Sequence, residues 1–321
     1  MAAERAGGVS AVVARSASRL RSVFPRILLA ALCVALAAAP TQTFSQPTQS
    51  TKKFSKGLLW RVSRGGVRPS YVFGTIHIAD PRVLDVPEAV GRALLQSRYY
   101  YVESFQGERE AARFFEAAQF EDGRKLEPLI GAQAYAQVAE ILRAREVPEE
   151  VIARIKPWAA LINLTVTPED YEKVTLDQKL LELARENGLR VLGLESIKEQ
   201  ISAFDRIPLD TQVKLLRHAL AHRDELAALL EPTIEAWLEH DLAGIHAGTG
   251  RIARRYPEMA EHYRALFKTV VENRSVLMAH RLFMPLREGR AFVAVGADHL
   301  YGPDGILALI ERQGYRVERI Y

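Results

Sequence analysis

Two short apolar stretches far apart in the chain end in the same way, and this repetition constrains the fold more than any other feature. Residues 71–77 read YVFGTIH and residues 291–299 read AFVAVGADH, so each stretch has a glycine followed three positions later by a histidine. Continuous apolar runs of this kind are typical of strands buried on both faces, and ligands of such sheets lie beyond the carboxyl ends of the strands. The repetition predicts two buried strands that each deliver an imidazole to one edge of a sheet.

Glycine suits this position because the missing side chain lets a ligand or a neighbouring chain approach the backbone closely. We therefore expect Gly74 and Gly296 to be structural residues of a site that His77 and His299 share. A lone histidine after a strand is more often a polar loop residue. The prediction depends on the pair, and no third Gly-x-x-His occurs in the chain.

The first 39 residues read as a targeting segment. Five arginines precede an uncharged run at 27–39, and Ala35, Ala37 and Ala39 offer Ala-x-Ala-like cleavage sites. The run is shorter than the roughly 20 residues of a comfortable membrane span. We expect a signal peptide or an amino-terminal anchor at 1–39 and therefore an exported protein, in the bacterial periplasm. Contact with a membrane is expected through an uncleaved leader alone.

Charge and cysteine content exclude several classes of function. The whole chain has 43 Lys and Arg against 39 Asp and Glu, but five of the Arg and one Glu lie within 1–39, which leaves the remainder formally neutral. A neutral chain without a basic stripe is not expected to bind nucleic acid. The single cysteine, Cys33, lies in the leader. Disulfides, thiolate metal sites and a cysteine nucleophile are therefore excluded from the rest.

The polar residues at 40–56 predict a flexible linker, and 57–321 predict one α/β domain with a mixed or mostly parallel central sheet flanked by helices. A large helical insertion, about 107–187 and 209–287, separates the two halves. The pattern predicts strands at 57–62, 70–76, 98–103, 189–194, 291–295 and 316–320, and helices at 87–96, 107–120, 131–145, 149–165, 176–187, 209–250, 257–287 and 306–313. The first two strands are expected to form a hairpin, and the last two a parallel βαβ unit.

Several segments together resemble the TraB/GumN family. They are YVFGTIHIAD, the strand ending at Glu103, LRVLGLES, ENR at 272–274 and FVAVGADHLYGPDGILALIERQGYRV. The resemblance runs from about Leu58 to the carboxyl terminus. The family is related to Tiki metalloproteases and erythromycin esterase-like hydrolases, in which paired Gly-x-x-His motifs and a glutamate are taken to form the active site. The resemblance implies that His77, Glu103 and His299 are the primary site residues.

These residue types fit a metal site. Two imidazoles and a carboxylate form a His₂Glu set that binds a divalent ion such as Mn, Co or Zn and leaves positions open for water and substrate. Glu195, at the end of its own strand, is the candidate proton acceptor, and a structural role at the following helix is an equal alternative. Arg274 is expected to steady an oxyanion or to orient Glu103. We interpret Asp177 as a carboxylate of a helix amino terminus.

The sequence favours an exported metal-dependent hydrolase, with a peptide or another small molecule as substrate. Two alternatives stay open: a metal-free esterase-like hydrolase in which His77 is the base, and a non-catalytic binding or regulatory protein that holds a peptide, porphyrin or metal in the same cleft.

His218 and His222 have the i, i+4 spacing of a helical face but lack the adjacent glutamate of a zincin. We interpret them as exposed helix residues. Nothing in the sequence predicts an oligomeric state.

Overall fold

The computed structural model describes residues 53–105, 107–164 and 173–321. One six-stranded sheet lies at its centre: β1 Leu59–Ser63, β2 Ser70–Thr75, β3 Tyr99–Ser104, β4 Arg190–Glu195, β5 Ala291–Gly296 and β6 Arg316–Arg319. The strand order is β4-β3-β5-β2-β1-β6. In this order the first four strands, β4, β3, β5 and β2, run parallel to one another, and β1 is antiparallel to both β2 and β6. The predicted α/β class, with a mostly parallel sheet flanked by helices, is confirmed.

Helices cover the sheet and fill the described chain between β3 and β4 and between β4 and β5. Their bounds are Pro81–Leu84, Glu88–Leu95, Glu108–Ala117, Glu127–Ile130, Ala132–Arg143, Glu149–Arg154, Pro157–Leu164, Leu176–Glu186, Ile197–Asp205, Leu209–Ala221, Arg223–Ala227, Leu230–Leu238, Leu242–Arg255, Ala260–Phe267, Asn273–Arg281, Phe283–Glu288 and Ile306–Arg312. Short 3₁₀ turns lie at Pro257–Met259 and Ala297–His299, and a π-helical turn lies at Lys268–Glu272.

The two glycine-histidine strands are neighbours at the centre of the sheet. Every residue of β2 and β5 is buried, as their continuous apolar patterns predict. They pair in parallel, with Gly74 opposite Val295 and Thr75 opposite Gly296. The two motifs therefore leave the same edge of the sheet side by side, offset by one residue.

The buried apolar residues form two clusters. One surrounds the sheet and includes Trp60, Phe73 and Phe292. The other lies among the helices between β3 and β5 and includes Trp158 and Phe204, whose rings stack with centroids 5.0 Å apart. The site described below lies where the sheet faces these helices.

Several details differ from the sequence-based expectations. The helices predicted at 209–250 and 257–287 are each divided into shorter helices, and in the first of them Pro232 lies in the first turn of a new helix and His240 has a positive φ of 56°. The β1–β2 hairpin is present, but β6 runs beside β1, so β1 and β2 separate it from β5. The helix predicted at 149–165 is two helices, because Pro157 has no N–H for the preceding turn and instead begins the second helix. Phe54, in the predicted linker, is 1% exposed and packs in the sheet cluster, so the folded domain begins before residue 57. The predicted leader and residues 40–52 lie outside the described residues.

Candidate functional site

The carboxyl ends of three adjacent strands bring His77, Glu103 and His299 together. His77 follows β2 by two residues, Glu103 is the penultimate residue of β3, and His299 ends the 3₁₀ turn after β5. All three side chains are buried. Because parallel strands meet at one edge of the sheet, residues that are far apart in sequence become neighbours here.

The three side chains converge on one carboxylate oxygen. Oε1 of Glu103 lies 3.5 Å from Nε2 of His77 and 3.7 Å from Nε2 of His299. The backbone N–H of Gly296 donates to the same oxygen at 2.8 Å. The predicted triad is thus assembled around Oε1.

A carboxylate fixes the ring of His77 from the other side. Nδ1 of His77 donates to Oδ2 of Asp177 at 2.7 Å, and the hydroxyl of Thr75 donates to Oδ1 of Asp177 at 2.7 Å. Asp177 lies in the first turn of the helix Leu176–Glu186, as predicted, where Thr175 and Gln178 form the capping box. In the neutral tautomer this arrangement leaves the lone pair of Nε2 directed to the site.

A hydroxyl group holds Nδ1 of His299, as the Asp177 carboxylate holds Nδ1 of His77. Oγ of Ser275 donates to the carbonyl of Val271 at 2.8 Å and lies 2.9 Å from Nδ1 of His299. Since its proton is engaged, Ser275 accepts from Nδ1, and Nε2 of His299 again carries the lone pair on the site side. Asp177 and Ser275 both support the site, and no local sequence pattern pairs either of them with a histidine.

Arg274 joins the two glutamates. Its Nη2 donates to Oε2 of Glu103 at 2.6 Å, its Nε donates to Oε2 of Glu195 at 2.9 Å, and its Nη1 donates to the carbonyl of Val270 at 3.2 Å. The Glu195 side chain is fully buried behind Arg274. The helix Ile197–Asp205 is capped by Ser196 and Glu199, so the alternative role for Glu195 at that helix is not seen.

The charges of the site differ strongly from residue to residue. Burial opposes the charged form of His77, but Asp177 and Glu103 outweigh it and raise its pKa well above the ordinary value. Burial lowers the pKa of His299 to about 4. Burial also favours the neutral form of Glu103, yet Arg274 and both histidines hold its pKa well below the usual range. Burial raises the pKa of Glu195 against the effect of Arg274.

The two glycines make room for the opposite motif. A Cβ on Gly74 would lie 2.8 Å from Cδ1 of Leu300 and 3.2 Å from Cα of Ala297, both after β5. A Cβ on Gly296 would lie 3.0 Å from Nε2 of His77 and 3.3 Å from Oε1 of Glu103. The predicted structural role of both glycines at the site agrees with these approaches.

A cleft opens over the three side chains. Arg274 and Asp298 contribute further charge to its lining. Burial raises the pKa of Asp298. Asp298 was not among the predicted site residues, although it lies inside the second Gly-x-x-His motif. The remaining lining residues are Thr75, Ile76, Gln200, Phe204, Thr233, Trp237, Ile245, Val271, Gly296 and Ala297.

The donor set fits a divalent ion in kind. Two imidazole nitrogens and a carboxylate oxygen are ligands that Mn²⁺, Co²⁺ and Zn²⁺ accept, and both rings have their other nitrogen engaged, as metal-binding histidines do. The space that a Cβ on Gly296 would enter lies between His77 and Glu103. In a tetrahedral site with bonds of about 2.1 Å, two donor atoms lie about 3.4 Å apart. This distance is slightly less than the 3.5 Å and 3.7 Å that separate Oε1 of Glu103 from Nε2 of His77 and of His299. As the side chains stand, no group of three or more His, Cys, Asp or Glu within the described ranges is disposed to hold a metal ion.

None of the other histidines lines this cleft, although His246 lies 3.8 Å from Asp298, and the expectation for one of them needs correction. His218 is buried, because its Nδ1 bonds with the hydroxyl of Tyr263 at 2.9 Å and its ring packs 4.6 Å from that of His222. The expectation that His218 is exposed is therefore wrong: tertiary contacts cover one side of its helix. His222 is partly exposed, as expected of a helix surface.

Comparison with known proteins identifies the chain at the level of the family. Comparisons with curated proteins and with solved structures each find no significant match. The model of the TraB/PrgY/gumN family matches residues 58–319, from one residue before β1 to the end of β6. That match includes every strand of the sheet and every residue of the site, and the chain belongs to the TraB/PrgY/gumN family.

Proposed function

We propose that the protein is a hydrolase that works with one divalent ion and that its substrates are peptides or related amides. The observation that carries this proposal is the convergence of three acceptor atoms: Nε2 of His77, Nε2 of His299 and Oε1 of Glu103. These atoms repel one another unless a positive charge lies among them, and without an ion the proton that His77 retains through its raised pKa supplies that charge. A divalent ion supplies that charge with the ligand types it prefers.

In this proposal His77, Glu103 and His299 hold the ion. When bound, such an ion polarises a carbonyl and lowers the pKa of a water molecule, which is the chemistry that amide hydrolysis needs. Asp177 and Ser275 hold the two Nδ1–H groups and so keep both Nε2 lone pairs directed to the site. These two are positioning residues, because they act through the histidines.

Arg274 and Glu195 also act through another residue. All three nitrogens of the Arg274 guanidinium have acceptors, so we assign it to keeping Glu103 ionised and oriented rather than to binding an oxyanion. Glu195 lies behind Arg274 and outside the cleft lining. We assign it to holding Arg274, in place of the proton-accepting role that the sequence suggested.

The His77–Asp177 hydrogen bond favours one alternative, a metal-free hydrolase in which Asp177 orients His77 as a base. The same carboxylate raises the pKa of His77, which keeps the imidazole protonated and makes it a weak base at neutral pH. For this reason we place the alternative second. Turnover that resists chelators would favour it, and chelator-sensitive turnover would favour the metal-dependent reaction.

The first experiment is to measure the metal content of the purified protein after loading with Mn²⁺, Co²⁺ or Zn²⁺ and removal of the excess. The variants His77→Ala and His299→Ala test the site, and His280→Ala is a matched control because His280 is exposed on a helix away from the cleft. We expect about one equivalent in wild type and His280→Ala, and loss in the other two variants with circular dichroism unchanged. Equal binding in all four proteins, or none in wild type, would reject the metal-dependent reading.

We also propose that the protein is exported, on the basis of the basic and apolar character of residues 1–39. No helix within the described ranges has the length and apolar character needed to cross a membrane. Fractionation of cells that express the full chain, with amino-terminal sequencing of the product, tests both export and cleavage near Ala39. A product that stays in the cytoplasm with its amino terminus intact would contradict the proposal.

A further inference from the structure

A carboxylate in the cleft has no strong partner. Oδ1 of Asp298 lies 3.8 Å from Nδ1 of His246, which is too long for a hydrogen bond. Both atoms are buried, and among the described residues neither has a hydrogen-bond partner. Buried polar atoms are normally satisfied, so this pair calls for a specific explanation.

Each of the other carboxylates around the site lies against a basic side chain. Arg274 lies against both Glu103 and Glu195, and Asp177 pairs with His77. Within the described chain, Asp298 has no Lys or Arg nitrogen within 4 Å. Of the two carboxylates that line the cleft, Glu103 and Asp298, Asp298 is therefore the one without a Lys or Arg partner.

The imidazole of His246 is held in place by aromatic neighbours. Its centroid lies 5.2 Å from that of Phe267 and 5.2 Å from that of Tyr301, both edge to face. A ring packed on two sides does not swing freely to close the gap to Asp298. A single polar atom at hydrogen-bond distance from both Oδ1 and Nδ1 fits the 3.8 Å separation.

We propose that Asp298 binds an ammonium group of the substrate, with His246 as a second contact, and that the substrates are peptides or amides with a free amino group next to an apolar side chain. This inference rests on the proposed function, because it concerns the same cleft. The apolar lining residues Phe204, Trp237 and Ile245 give the side chain of such a substrate a surface to pack against. An ammonium group supplies both the positive charge and the hydrogen-bond donors that Oδ1 lacks.

Calorimetry with two probes tests the inference without any need for turnover. Leucinamide carries a free amine, and N-acetyl-leucinamide has the same side chain and amide but no charge. We expect wild type to bind leucinamide at least about tenfold more tightly, which corresponds to about 1.4 kcal/mol, because hydrogen bonds to charged groups are stronger than those between neutral groups. Asp298→Asn should lose most of this preference.

Asp304→Asn is the matched control. Asp304 lies in the same segment after β5, is largely exposed and faces Arg312 at 3.7 Å, so the variant removes an equal charge outside the cleft and should keep the preference. Equal binding of the two probes by wild type, or binding of neither, overturns the inference, and so does an equal loss in both variants. The wild-type comparison remains decisive if Asp298→Asn does not fold.

A turnover assay on leucine amides separates this inference from the proposed function. Preferential binding of leucinamide without hydrolysis of any amide would reject the hydrolase and leave the ammonium site standing. Hydrolysis with no preference for the free amine would reject the ammonium site and leave the hydrolase standing.

Discussion

The two Gly-x-x-His strand ends have the same sequence pattern but opposite electrostatics. After β2, His77 donates to a carboxylate, Asp177, and its pKa is raised. After β5, His299 bonds with a hydroxyl, Ser275, and its pKa falls to about 4. Burial is similar at the two positions, so the partner of Nδ1 accounts for much of the difference. A repeated motif thus supplies two equivalent positions, and helices from elsewhere in the chain make them unequal.

The largest expected effect is on stability and comes from replacing Arg274. This cation pairs with Glu103, the carboxylate that the histidines of both strand ends face. Arg274→Met leaves Glu195 buried without a counter-charge and Glu103 with the histidines alone, and we expect the free energy of unfolding to fall by about 3–5 kcal/mol. Urea unfolding measures it. Arg281→Met is the control, because Arg281 pairs with Glu199 at a partly exposed position and should cost about 1 kcal/mol or less.

A double variant distinguishes the effect of the lost charge from the effect of the lost packing at Arg274. In the double variant Arg274→Met with Glu195→Gln, the charge that Arg274 alone compensates is gone, and we expect part of the lost stability to return. Equal losses in the Arg274 and Arg281 variants, or no recovery in the double variant, would contradict the assigned role of Arg274.

The next effect is a difference in pH dependence, measured in chelator by urea unfolding. The folded pKa of His77 is above its unfolded value near 6.5, so its stabilisation is complete below about pH 6.5 and is lost as the pH rises through the folded pKa. The folded pKa of His299 is about 4. As the pH falls from about 6.5 towards 4 the unfolded state therefore takes up the proton first, and stability drops by an amount of the order of 2–3 kcal/mol.

Single variants should remove one limb of this profile at a time. Asp177→Asn should flatten the profile above about pH 6.5, and His299→Gln should reduce the fall below it. The prediction fails if Asp177→Asn changes only the acidic limb, because that result would assign the raised pKa to a different histidine.

Substitutions of Gly74 and Gly296 should differ in their effects, the first mainly on stability and the second mainly on ion binding. Gly74→Ala brings a Cβ against Leu300 and Ala297, and overpacking of this kind costs about 1–3 kcal/mol, with ion binding retained. Gly296→Ala brings a Cβ against Nε2 of His77 and Oε1 of Glu103, so ion affinity should fall about tenfold or more with a smaller loss of stability. Unfolding and metal titration of both variants check this, and a reversed pattern would refute it.

The smallest effect concerns the residue after each glycine. Thr75 donates to Asp177, whereas Ala297 at the matching position of the second motif has no hydroxyl. Thr75→Val should lower the free energy of unfolding by about 0.5–1.5 kcal/mol. Thr75→Ser keeps the hydroxyl and should recover most of the loss; if it does not, packing of the methyl group rather than the hydrogen bond stabilises the first motif.

The sheet and the central triad could be predicted because their signals are local. An apolar run that ends in glycine marks a buried strand, and parallel strands must end at a common edge. His77 and His299 each follow such a run, so the pattern placed them near one another, and the resemblance to the family added Glu103 at the end of its own strand. The helix break at Pro157 is equally local, and a stricter application of the proline rule predicts it.

The supporting residues could not be predicted in the same way. Asp177 has a sufficient local explanation as a first-turn carboxylate, and nothing in its neighbours indicates a histidine 100 residues earlier. Ser275 contacts His299 only because its helix packs against the 3₁₀ turn after β5. The position of β6 beside β1 depends on which sheet edge is open, and a strand-helix-strand pattern does not specify this.

The π-helical turn Lys268–Glu272 sets the angular phase of the helix that follows it. Arg274 and Ser275 lie directly after this turn, and both bond back to carbonyls within it, at Val270 and Val271. One residue in an α-helix corresponds to a rotation of about 100°. Deletion of one residue from the turn would restore an ordinary α-helix. The helix that follows would keep its amphipathic sequence, but Arg274 and Ser275 would rotate away from the two strand ends that they support.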